Sequence, residues 1–168
     1  MGFSIPRIGR MTMLAAVLVA AGFMSSPAAA ADMIGIAYVR SDGSLYLNGR
    51  TVYLYGIYIP PTERDCAIGL RPVRCGSRSV LALDRYVDGF VQCRPVGFYA
   101  NGSLSAVCYV RHSRLSPGRD LAAKMIANGW ALAGPGAPFE YTALERIAIV
   151  QERGIWRDSD QIARYFYE

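Results

Sequence analysis

The residues with the most chemistry in this sequence are four cysteines, one histidine, a few clustered carboxylates and 11 tyrosines. A zinc site needs thiolates or imidazoles in close pairs such as Cys-x-x-Cys. Cys66, Cys75, Cys93 and Cys108 form no such pair, and His112 stands at no ligand spacing from any of them. The even count fits disulfides instead. Four cysteines allow three pairings, and the local pairs Cys66–Cys75 and Cys93–Cys108 close the shortest loops. His112 has no partner pattern for nucleophilic catalysis and reads as a surface residue at a strand end. The carboxylates of Asp42 and of Glu63-Arg64-Asp65 are candidates for a hard-cation site, although Glu63-Arg64-Asp65 also has the composition of a solvated turn. Along Val52-Tyr53-Leu54-Tyr55 the apolar residues point one way and the tyrosines the other. Tyr53 therefore faces outward, with Tyr58 near it and Tyr46, Tyr99 and Tyr109 as candidates for the same side. Such tyrosines either cover a sheet surface, as strand propensity favours, or stack on the ring of a ligand.

The compartment follows from the N-terminus. Arg7 and Arg10 precede an uncharged run from Met11 to Met24, and Ser25-Ser26-Pro27 and Ala28 to Ala31 follow it. That is the layout of a secretory signal peptide over residues 1–31, cleaved after Ala30 or Ala31. The run is shorter than the roughly twenty residues that span a bilayer. The expectation is a periplasmic or secreted chain without a stable membrane anchor, in a compartment where disulfides form. Cleavage takes two of the 18 basic residues and none of the 13 acidic ones. The remaining excess is too small to argue nucleic-acid binding from charge. Lys124 is the single lysine among those cations. Hydrophobic residues at 52% suit a packed core over residues 32–168, one domain, and exclude a disordered or polyelectrolyte chain.

The elements that position these residues read as strands first and helices later. Ile34 to Arg40, Leu45 to Asn48 and Thr51 to Ile59 form a three-strand meander, turned at Ser41-Asp42-Gly43 and Asn48-Gly49 and stopped by Pro60-Pro61. Cys66 to Arg74 reads as a loop and Ser77 to Val87 as a helix. Phe90 to Phe98 and Leu104 to Arg111 flank an Asn101-Gly102 turn, which puts Cys93 and Cys108 on facing strands. Ser116-Pro117 reads as the start of a helix carrying Leu121, Ala122, Met125 and Ile126, with Gly129 as its stop. A last helix carries Tyr141, Leu144, Ile147 and Ala148 and ends at Gly154. Trp130 and Trp156 fit between helix and barrel, and Tyr165-Phe166-Tyr167 fits a docked tail. Five strands with three helices make an α+β chain, and the order suits a small Greek-key barrel of the OB type.

At this level the chain resembles the staphylococcal-nuclease-like, or thermonuclease, family. Asp42-Gly43-Ser44-Leu45 is similar to its opening Asp-Gly-Asp-Thr turn. Val52-Tyr53-Leu54-Tyr55-Gly56-Ile57 resembles its Val-Arg-Leu-x-Gly-Ile strand. Cys75-Gly76 and Val91-Gln92-Cys93 resemble exported bacterial members. Asp120-Leu121 with Asn128-Gly129-Trp130-Ala131, and Glu145 with Gly154-Ile155-Trp156, resemble its closing helices. The resemblance implies a five-stranded OB barrel with three helices. It also implies phosphodiester hydrolysis using a calcium ion held by carboxylates, a glutamate at the attacking water and two arginines on the phosphate.

Carried over residue by residue, that machinery is missing. The turn aspartates fall on Ser41 and Gly43, the later aspartate on Tyr58 and the glutamate on Pro61. The two arginines fall on Tyr53 and near Ser103. None of these residues carries charge at neutral pH. The expected function is an exported, catalytically inactive binding or scaffold module with a ligand face at Tyr46, Tyr53 and Tyr58 and no cofactor. An oligonucleotide, an oligosaccharide or a protein is the candidate partner, because OB barrels bind across this face. Two alternatives stand beside it. One is a calcium-dependent nuclease rebuilt from Asp42, Glu63, Asp65 and Arg50. The other is an accessory role in envelope or exopolysaccharide biology.

Overall fold

The computed structural model describes residues 1–2, 31–63, 66–68, 71–73 and 75–158; for 66–68, 71–73, 75 and 158 only the backbone is considered. The signal-peptide run, Arg64 and Asp65, the Cys66–Cys75 pairing and the Tyr165–Tyr167 tail lie outside the described residues or side chains. The meander is β1 (Met33–Val39), β2 (Leu45–Leu47) and β3 (Arg50–Leu54), antiparallel throughout. β2 and β3 are joined by the two residues Asn48 and Gly49, both at positive φ, as a tight hairpin of this twist requires.

The expected strand Thr51–Ile59 is two strands. At Gly56, with φ +73°, the chain turns, and β4 (Ile57–Tyr58) leaves the barrel to pair with a later strand. The expected loop Cys66–Arg74 contains a short hairpin, β5 (Cys66–Ile68) on β6 (Arg71–Val73). The helix α1 (Cys75–Tyr86) follows, starting two residues earlier than the sequence suggests. β7 (Phe90–Phe98) and β8 (Leu104–Val110) then make the long hairpin.

Closure comes from two pairings. β1 runs antiparallel to β7, and β3 runs parallel to β8 with Val52 opposite Leu104 and Leu54 opposite Ala106. The result is a closed five-stranded barrel with three helices, an α+β fold consistent with the OB type. Alternation along β8 sends Leu104, Ala106, Cys108 and Val110 into the core, where they meet Leu45, Leu47, Val52, Leu54 and Val91.

In the β7–β8 hairpin a bulge at Val96 shifts the register by one, from Gly97 opposite Ser105 to Pro95 opposite Ala106. Without that shift Cys93 would face Tyr109. With it Cys93 faces Cys108, and the two form a fully buried disulfide.

A short strand β9 (Arg119–Asp120) extends the sheet along β8 before α2 (Leu121–Ala127). This corrects the helix start expected at Ser116. Gly118 turns the chain at φ +80°, and residues 119–120 stay extended to pair with Tyr109 and Val110. Asp120 is therefore the N-cap, accepting from the amides of Ala122 (2.8 Å) and Ala123 (3.2 Å). β10 (Leu132–Ala133) receives β4, and α3 (Phe139–Val150) packs on α2.

α3 ends four residues before the expected Gly154, and Gly154–Asp158 forms a 3-10 turn instead. The reason is a backbone-to-backbone contact. The amide of Ile155 donates to the carbonyl of Gly129 at 2.8 Å, and a Cβ on Gly129 would lie 2.1 Å from the Arg153 carbonyl. Only glycine allows that approach. It buries Ile155 and Trp156 in a second small cluster with Leu132 and Ala148, and Trp130 touches both clusters. No helix among the described residues is long and apolar enough to cross a membrane.

Candidate functional site

The β1–β2 turn and the outer face of β3 build the site. In the turn, Asp42 Oδ1 accepts from the Ser44 amide (2.9 Å) and the Ser44 hydroxyl (2.6 Å). Tyr53 reaches the same carboxylate from β3, its hydroxyl donating to Oδ2 at 3.1 Å. Burial raises the Asp42 pKa, but the Ser44 hydroxyl and amide and the Tyr53 hydroxyl outweigh it and hold the carboxyl below its usual range. Burial, and then the bond to ionised Asp42, raise Tyr53. At neutral pH the pair is a carboxylate and a neutral phenol.

Tyr99, at the end of β7, meets Tyr53 edge to face, with ring centroids 5.6 Å apart and planes at 80°. Asp42, Gly43, Tyr53, Tyr58, Ile59 and Tyr99 line a pocket of about 200 Å³. The loop beyond it is tied to the turn by the Ser41 carbonyl, which accepts from the Thr62 amide and hydroxyl at 2.9 and 2.7 Å.

The structure thus brings Tyr53, Tyr58 and Tyr99 together around Asp42. Tyr46 lies on the same outer surface of the barrel but outside the pocket, beneath the Arg40 guanidinium, whose carbon stands 5.1 Å from the ring centroid. Tyr109 sits farther along β8, opposite Asp120 and away from the pocket. Gly43 packs against Ile59, Ser103 is buried in the β7–β8 turn, and Pro61 is half-buried. His112 is exposed just past the end of β8.

The packing of Arg40 over Tyr46, beside the pocket, escaped the sequence reading. Its signal was strand parity: Arg40 shares the outward side of Tyr38, which faces Tyr46 across the β1–β2 pair.

Calcium takes about six to eight oxygen ligands. The pocket offers one carboxylate, and both its oxygens already accept hydrogen bonds. Glu63 is exposed and does not line the pocket. This donor set does not fit a calcium ion. Among the described residues no three His, Cys, Asp or Glu side chains gather as metal ligands. What the arrangement offers is aromatic faces for stacking, a phenol oxygen, and a fixed carboxylate that accepts hydrogen bonds from hydroxyl or amide groups. No protein-family model matches this chain, and no curated protein matches it.

Proposed function

We propose that this chain is a non-catalytic binding module of thermonuclease-like descent, exported to an oxidising compartment, that takes its ligand at the Tyr53–Tyr58–Tyr99 pocket. The observation that carries the reading is the exchange of charge for aromatic surface at one place. Tyrosines stand at two positions where the resemblance calls for an arginine and an aspartate, and the one carboxylate left is bound by Ser44 and Tyr53. Hydrolysis of a phosphodiester needs positive charge on the developing phosphorane and a metal or base at the water. Stacking needs only ring faces. The buried Cys93–Cys108 bridge supports the oxidising compartment.

The test is a calcium titration of the mature chain in the presence of single-stranded DNA, and separately of a neutral oligosaccharide, followed by amide NMR and by gel. The expected result is no cleavage, with ligand-induced shifts at Asp42–Ser44, Tyr53, Tyr58 and Tyr99. Tyr53→Ala should weaken that binding by roughly tenfold, the lower range for one lost ring stack. Calcium-dependent cleavage that disappears in Asp42→Ala or Glu63→Ala overturns the reading in favour of the rebuilt nuclease.

A further inference from the structure

At the other end of β8 from the tyrosine pocket, the chain between β8 and β9 folds into a small hairpin of its own. Arg111, at φ 55°, turns off the strand, and Gly118, at φ 80°, brings the chain back beside it. Between them the Ser113 amide donates to the Ser116 carbonyl at 2.9 Å, and the Ser116 amide donates to the Ser113 carbonyl at 3.2 Å. The two residues held at the tip are Arg114 and Leu115. Leu115 is 99% exposed, and its amide donates to Ser113 Oγ at 3.3 Å. The leucine has apolar company at the base of the hairpin. Phe90 stands at the level of Arg111, one residue before the Val91–Val110 pair, and faces Ile36 across β1 and β7. Both are also well exposed, at 66% and 58%. One exposed leucine means little, but a tip leucine above an exposed phenylalanine and isoleucine is a patch.

The same end of the sheet is basic. Asp88 accepts from Nε and Nη2 of Arg111. Asp120 is taken up by the α2 amides and by the Tyr141 hydroxyl. Arg114, Arg119 and Lys124 have no ion pair among the described residues. Lys124 Nζ lies 3.8 Å from the centroid of the Tyr86 ring. Burial, and then the charges of Arg119 and Arg111, lower the Lys124 pKa, and Asp88 opposes them without prevailing. The cations share one field that the local carboxylates leave positive.

We infer that this hairpin is a reversible docking point for an anionic lipid surface, with Leu115 at the acyl boundary and Arg114, Arg119 and Lys124 at the lipid phosphates. The order of groups along the protrusion carries the inference. The aliphatic side chain is at the tip with one arginine beside it, and the other cations are at the base. That is the order of a bilayer read from acyl chains to headgroups. Arg114 can lay its stem along apolar surface and keep its head among the phosphates. The turn bonds its own amides, so the tip enters the interface with few unpaired backbone groups. A nucleic acid or an acidic polysaccharide would meet the cations equally well but offers nothing to Leu115. Each cation near an anionic leaflet strengthens binding by roughly fivefold, so three give about a hundredfold. The surface lies apart from the tyrosine pocket, and the inference does not rest on the ligand reading.

The experiment is co-sedimentation with vesicles, using residues 32–168 so that the apolar Met11–Met24 run does not itself bind lipid; every described element begins at Met33 or later. One preparation is phosphatidylcholine alone, and the other contains about one-third phosphatidylglycerol. The expected result is binding to the anionic vesicles only, falling at least about tenfold between roughly 0.05 and 0.5 M salt as the charges are screened. Leu115→Asp should weaken binding by at least about tenfold, because the leucine no longer leaves water. Arg114→Gln with Arg119→Gln should weaken it by roughly 25-fold. Arg78→Gln removes a like charge at the opposite end of α1 from Asp88 and should stay within about twofold. Leu115→Trp should shift its emission to the blue on anionic vesicles, beyond any shift of the unsubstituted chain. Equal binding to both vesicles, binding to neither, or unchanged binding in Leu115→Asp overturns the docking point. Binding to single-stranded DNA that Leu115→Asp leaves intact, without binding to vesicles, assigns the cations to a polyanion and overturns it as well.

Discussion

Removing the Cys93–Cys108 bridge by a paired Cys93→Ala, Cys108→Ala substitution is the sharpest test of what holds the barrel. The two residues are 15 apart in the chain, so the bridge closes a loop whose entropy in the unfolded chain is worth about 3 kcal/mol. Both sulfurs are fully buried, so their loss also leaves a small void, adding roughly 1 kcal/mol. For a domain of this size each kcal/mol moves Tm by roughly 3–4 °C, which puts the expected drop at roughly 10–15 °C. Calorimetry gives that drop, and a urea titration checks its origin. An unfolded chain without the crosslink is more expanded, so the m-value should rise as the midpoint falls. A drop under about 3 °C with an unchanged m-value refutes the loop-entropy account and leaves the bridge as a passive consequence of register.

Other outcomes follow from single contacts. Tyr53→Phe removes one of the bonds holding Asp42 low, so the carboxyl pKa should rise, as read by carboxyl-carbon NMR. Because a depressed carboxyl stabilises above its unfolded value and loses that contribution in acid, the stability gap between wild type and Tyr53→Phe should narrow as pH falls below 3.8. Tyr141 donates to Asp120 Oδ2 at 2.6 Å, and burial followed by that bond pushes its pKa well above 10.0. A raised group stabilises below its unfolded pKa and loses that as pH climbs, so wild type should weaken above about pH 10 in a way that Tyr141→Phe does not. At neutral pH, Tyr141→Phe should cost about 1.5–3 kcal/mol in urea denaturation, the range for a bond to a charged acceptor. Gly129→Ala places a methyl against the Arg153 carbonyl at positive φ and should destabilise by more than about 3 kcal/mol in the same assay, releasing Ile155 and Trp156.

The sequence made legible whatever depends on alternation and turn chemistry. β8 alternates along its length, Asn48-Gly49 and Asn101-Gly102 turn where such pairs should, and Val52 and Leu54 bury while Tyr53 stays outside. It did not reveal what depends on tertiary choice. Ser116 and Asp120 are both good caps, and the pairing of residues 119–120 with β8 selects Asp120. Nothing local to residues 51–59 announces that Ile57–Tyr58 will find Leu132–Ala133, a partner far along the chain. The Val96 bulge that brings Cys93 opposite Cys108 is equally silent in composition. For the site, the sequence named Tyr53 and Tyr58; the packing of Arg40 over Tyr46 beside it is a cross-strand property that it did not announce.

On the binding reading, the parallel seam between β3 and β8 links occupancy of the pocket to the stability of the fold. One wall of the pocket comes from β3, through Tyr53 and Leu54; another comes from Tyr99, just past β7. The seam joins segments distant in the chain and, being parallel, cannot be made by a hairpin, so closing it costs loop entropy that no local turn offsets. The two walls face each other only while that seam is shut. On the binding reading proposed above, a ligand seated across them favours the closed barrel by mass action. Affinity at the pocket and stability of the barrel are then two readings of one equilibrium.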